Sequence, residues 1–102
     1  WLRFDTVAGD TQWVLVGQAA GTPTVQATTV FPAADTFIRV TIAVDSAGGA
    51  EVFINGRSEG TVASGSVGTA ANMRPTLYLQ TRTNAIRQAR LDKFEIWQSP
   101  LI

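Results

Sequence analysis

Between residues 37 and 62 apolar and polar side chains alternate with a period of two. Ile38, Val40, Ile42 and Val44 stand against Arg39, Thr41, Ala43 and Asp45, the pattern of a strand with one buried and one wet face. Ser46, Ala47, Gly48 and Gly49 supply a reversal, after which Ala50, Val52 and Ile54 resume the apolar face while Glu51 and Asn55 hold the other. Asn55-Gly56 suits a type I′ hairpin, because both central residues of that turn need positive φ. Residues 57–62 then return as a third strand, and 37–62 predicts an antiparallel meander.

The same reading places short strands on either side. Leu2 and Phe4 share one parity before a polar turn at Ala8, Gly9, Asp10 and Thr11. Trp13, Val14, Leu15 and Val16 form a nearly continuous apolar run, which suits a central strand buried on both faces. Residues 18–24, with Gly21 and Pro23, predict a loop, and 25–30 predict an edge strand weakly patterned by threonines. Pro32 interrupts the pattern, since it cannot donate to a ladder and biases Phe31 to an extended conformation. Beyond the meander, 63–72 is small, Gly-containing and loop-like. Leu77 and Leu79 alternate with Tyr78 and Gln80 in a strand over 76–82. A closing strand over 89–98 sets Asp92, Phe94 and Ile96 against Lys93, Glu95 and Trp97. Seven or eight short strands without a capped helical stretch predict an all-β antiparallel sandwich.

Composition narrows the picture. A chain of 102 residues makes one domain, burying roughly 60–65% of its unfolded surface. No apolar run reaches the about 18 residues that membrane insertion as a helix requires. There is no Cys, so disulfides, thiolate metal sites and a cysteine nucleophile are excluded. The chain starts at Trp1 on an apolar stretch and reads as a processed chain or a segment of a larger protein. Its net charge is zero, yet residues 1–60 carry three Arg against six acids and residues 61–102 five bases against two acids, so −3 faces +3. Arg74, Arg82, Arg87, Arg90 and Lys93 lack the net basicity and interleaved aromatics of a nucleic-acid face, and read as solvated residues or as partners for acids of another subunit.

The absence of His removes the commonest general base and the orienting member of a serine triad. A glycosidase of the sandwich type needs two carboxylates pointing into one groove. Asp92 and Glu95 have opposite parity, and Asp45 and Glu51 are separated by a turn, so no enzyme activity is expected. No cofactor is expected either. Calcium is the one ion left open, through Asp5, Asp10, Asp45 and Asp92 at strand ends and turns, where Asx-turns are the competing use of the same side chains. Trp13 belongs to the core by its neighbours. Tyr78 and Trp97 lie on the outward parity of their strands, where aromatics stack on sugars or anchor protein interfaces; for Trp97 the inner face of a second sheet is an equal alternative. The candidate glycan or interface residues are Tyr78, Trp97, Arg82, Arg87, Arg90, Asn55 and Arg57.

Four motifs, in order, carry a resemblance. They are AGDTxW from Ala8, ADTxxRxxIxVD from Ala34 to Asp45, FINGxxxGT from Phe53 to Thr61, and LDxFxIW from Leu91 to Trp97. Together the chain resembles the carboxy-terminal part of concanavalin A-like (laminin-G-like) jelly-roll domains, nearest to those in structural proteins of tailed bacteriophages and related bacterial surface proteins. The resemblance implies a jelly roll lacking leading strands, either minimal or completed by another segment or subunit. It further implies a non-catalytic virion protein, in capsid decoration or a tail fibre, that contacts other virion proteins; the lack of disulfides, the missing leading segment and the −3 and +3 halves predict a homo-oligomer, for which the resemblance makes a trimer the natural guess. In that assembly Arg82, Arg87 and Arg90 would oppose Asp5, Asp10 or Glu59. A lectin-like module that binds glycans is the alternative.

Overall fold

The computed structural model describes residues 1–68, 90–93, 95 and 96. These residues form an all-β structure with no helix. Six strands run in the order β1 (Leu2–Arg3), β2 (Val14–Ala19), β3 (Thr22–Ala27), β4 (Val40–Val44), β5 (Ala50–Ile54) and β6 (Arg57–Val62). They make two three-stranded antiparallel sheets, β1-β2-β3 and β4-β5-β6, compatible with a β-sandwich.

The predicted meander is present with the predicted turn. Asn55 and Gly56 adopt φ of 54° and 82°, and Ile54 pairs with Arg57 across them, as a two-residue type I′ hairpin requires. The preceding reversal is built by Asp45, whose Oδ1 accepts the N–H groups of Ala47 and Gly49 at 2.9 Å each. Gly48 sits there at φ 82°, and a Cβ would lie 2.5 Å from the Val67 carbonyl oxygen, so only glycine fits.

β2 is central and buried on both faces, as its continuous apolar run predicts. Val14, Leu15 and Val16 are all buried, and β2 pairs with β1 on one side and β3 on the other. The predicted loop over 18–24 is instead a tight hairpin. β2 continues to Ala19, Ala20 and Gly21 turn with φ of 50° and 80°, and β3 begins at Thr22. An alanine at positive φ is an uncommon turn residue, which is why the sequence gives no cue. β3 is an exposed edge strand, and Pro23 is tolerated because an edge position needs no outward donor.

The core lies between the sheets. Leu15 packs with Ala50, Val52, Ile54 and Val62, flanked by Leu2, Trp13, Val30, Ile38 and Val67. Thr28, buried beside β3, donates its hydroxyl to the Trp13 carbonyl at 2.8 Å and accepts the Val30 N–H. A bulge between Val52 and Phe53 leaves Glu59 as the extra residue on β6. Its Oε2 accepts the Thr29 hydroxyl at 2.7 Å, a hydrogen bond between the two halves of the structure. Residues 90–93, 95 and 96, predicted as part of a closing strand, are in no strand, and Leu91 and Ile96 are exposed. The predicted strand over 76–82 lies outside the described residues.

Candidate functional site

β4 carries an apolar stripe that its own fold leaves open. Val40, Ile42 and Val44 stand opposite Ile54, Val52 and Ala50 on β5 and share their face of the sheet. The β5 residues are 3%, 0% and 8% exposed, whereas Val40, Ile42 and Val44 are 39%, 40% and 39% exposed. The cause is the offset of the two sheets. β2 and β3 both contact β6 and Leu15 of β2 packs with Ala50, Val52 and Ile54 of β5, while the main contacts of β4 are with β5, so the first sheet covers β5 and β6 and β4 overhangs. Phe31 and Phe37, in the segment leading into β4, are also exposed.

The backbone of β4 is open in the same place. Arg39 exchanges hydrogen bonds with Asn55, through its carbonyl oxygen to the Asn55 N–H and through its N–H to Asn55 Oδ1. At the other end the Asp45 N–H bonds the Gly49 carbonyl oxygen. By the two-residue period of an antiparallel ladder, Thr41 and Ala43 also direct their backbone groups to β5. Val40, Ile42 and Val44 therefore direct theirs outward, along an edge with no partner strand among the described residues.

A shallow depression of about 440 Å³ lies where β4 and β6 end and β5 begins, lined by Asp45, Glu51, Thr61 and Ser64 among others. Antiparallel pairing brings Asp45 and Glu51 to one face of the sheet, although a turn separates them in sequence. Both carboxylates are engaged: Asp45 holds its turn, and Glu51 Oε2 accepts the Ser58 hydroxyl. Among the described residues no group of three or more acidic side chains could hold a metal ion. Asp10 accepts the Arg3 guanidinium through both oxygens, at 2.9 and 3.0 Å, and the Asp5 N–H at 2.8 Å. Asp5 Oδ1 accepts the Val7 N–H in an Asx-turn. The hydrogen bonds from Arg3 hold the Asp10 carboxyl below its ordinary range, aided by the Asp5 N–H and opposed by partial desolvation.

Among the candidates from sequence, Asn55 is exposed but extends the β4–β5 ladder toward Arg39, a structural role. Arg57, also exposed, lies 3.6 Å from Glu59 Oε1. Arg90 is exposed. Tyr78, Arg82, Arg87 and Trp97 lie outside the described residues. The acids that would face the arginines of another subunit are partly engaged within the chain, Asp10 by Arg3 and Glu59 by Thr29 and Arg57. The open β4 stripe was missed as a site because its alternation reads as core. Only the absence of a sheet over it among the described residues, a tertiary fact, marks it as surface. No family model, curated protein or solved structure matches the chain.

Proposed function

We propose that this chain is a non-catalytic structural module that works through protein–protein contacts on a virion, in capsid decoration or a tail fibre, and that its sheets belong to a concanavalin A-like jelly roll. The contact reading is carried by the β4 stripe. Three aliphatic side chains are left about two-fifths open beside a strand edge with no partner among the described residues, and such surface is stabilised by a partner that covers it. The setting and the jelly-roll topology are supported by the order and spacing of the four sequence motifs. Self-association belongs to the same reading, through polarised charge and an uncovered edge.

The test is immunogold electron microscopy of phage particles encoding this sequence, using an antibody raised against the purified chain. Regularly spaced label on the capsid or on a fibre is the expected result. Unlabelled particles, with the chain detected only in the lysed host, overturn the virion assignment. A glycan array run in parallel is expected to show no binding, and a defined sugar bound by the parent chain replaces the structural reading with the lectin-like one.

A further inference from the structure

Four strand edges flank the two described sheets, and three of them carry a device against pairing. β1 is two residues long, β3 contains Pro23, and β6 is bulged opposite Val52 and Phe53. Short edges, proline and bulges are the usual ways in which sheets block association. β4 has none of these. Its five residues are regular, apolar on one face and free of Pro, Gly and charge.

The sequence around β4 also reads similarly in both directions. Arg39-Val40-Thr41-Ile42-Ala43-Val44-Asp45 is centred on Ile42, with aliphatic residues two positions away on each side and opposite charges three positions away. The Arg39 guanidinium and Asp45 Oδ2 carry no ion pair or hydrogen bond among the described residues, while Asp45 Oδ1 is held by the turn. We propose that β4 is a homotypic edge, on which a second copy of this chain pairs antiparallel about a two-fold axis at Ile42.

In that register Ile42 faces Ile42 of the partner subunit, and Val40 faces Val44 of the partner subunit. The outward N–H and C=O groups of Val40, Ile42 and Val44 are the ones an antiparallel ladder uses, so each finds a partner in the hydrogen-bonded pairs of that ladder. Arg39 faces Asp45 of the partner subunit across a non-hydrogen-bonded position, where side chains come closest and opposite charges are favourable. The apolar stripes of the two copies join into one, and the interface is isologous and closed. A slip by one residue turns the stripe away from its counterpart and a slip by two separates the charges, so one register is selected. The inference rests on the reading of β4 as a contact surface and names the occupant as a second copy.

The chain has no cysteine, so single substitutions report the register without background. Under mild oxidation Ile42→Cys is expected to form a covalent dimer, because its sulfurs meet at the axis within disulfide reach. Thr41→Cys, which faces Ala43 of the partner subunit, is expected to cross-link at least about tenfold more slowly, since diagonal positions lie roughly 7–8 Å apart. Arg39→Glu replaces two attractive charge pairs with two repulsive ones and is expected to raise the dissociation constant in sedimentation equilibrium about tenfold. Its far-UV circular dichroism should be unchanged, because Arg39 is exposed and bonds through its backbone. Ile42→Cys that stays monomeric, equal cross-linking at both positions, a mass of three copies, or an Arg39→Glu variant that associates as tightly as the parent overturns the proposal. A parent chain that self-associates without cross-linking through Ile42→Cys sinks the β4 pairing and leaves the contact reading standing. Cross-linking in a chain absent from particles keeps the β4 pairing and overturns the virion assignment.

Discussion

Gly17 shows how a single hydrogen atom in place of a side chain shapes the fold. A Cβ there would lie 2.8 Å from the Ser66 carbonyl oxygen and 3.2 Å from Val67 Cγ2. The turn over 63–68 lies directly on β2, where the Gly68 N–H bonds the Gln18 carbonyl oxygen. Gly17→Ala is therefore expected to cost about 1–3 kcal/mol by forcing backbone apart, read as a lower urea midpoint with an unchanged slope; an unchanged midpoint refutes the close approach. Asp10 makes a pH prediction. Its carboxyl ionises at lower pH in the folded chain because Arg3 donates to it. A depressed folded value gives stability that is complete above the unfolded value and lost as pH falls through the folded one. The parent should thus lose stability below about pH 4, and Asp10→Asn should lack that part of the acid slope. Identical acid slopes in the two proteins would show that the ion pair contributes nothing. At this scale the sequence marked Asp10 as a turn residue but not its partner. Arg3 is seven positions away, on a strand whose pairing decides the contact.

The two hairpins mark what is legible at the scale of elements. Asn55-Gly56 announced its turn because both residues tolerate positive φ, and the strands on either side have the predicted bounds within a residue or two. Ala20-Gly21 makes the same turn with a residue that does not favour it, and Gln18 and Pro23 beside it read as loop, though the ladder pairs them. Opposite responses follow. Ala20→Gly relieves a strained alanine and is expected to raise stability by about 0.5–1 kcal/mol. Gly56→Val places a β-branched residue at φ 82° and is expected to lower it by about 1–2 kcal/mol. Nothing lies within 4 Å of a Cβ at Gly56, so the loss is purely conformational. Paired thermal melts check both signs, and a destabilised Ala20→Gly would contradict the assigned turn. The alternation over 91–96 matched a strand, yet the described residues there are exposed and outside any sheet, because period-two patterning specifies a face and not a partner.

For the whole molecule, the decisive fact is the offset between the sheets. Composition and alternation sufficed for an all-β sandwich with β2 central, from its continuous apolar run, and a three-stranded meander over 37–62. They could not say that β4 would overhang, because Val40, Ile42 and Val44 have the same chemistry as Ala50, Val52 and Ile54. What separates the two sets is that the buried set packs with Leu15 and Val62 while the other is left open. Leaving three aliphatic side chains about 40% exposed forgoes roughly 1–1.5 kcal/mol each at about 25 cal/mol/Å², which association can recover. On the proposed reading β4, open among the described residues, is closed by contact.

Amide hydrogen exchange by NMR, followed as a function of protein concentration, tests it residue by residue. In dilute solution Thr41, Ala43 and Asp45, which bond to β5, should exchange slowly, and Val40, Ile42 and Val44 rapidly. As concentration rises, the second set alone should become protected. Uniform protection of all six amides at the lowest concentration would show that β4 is already covered within one chain, and would contradict the account.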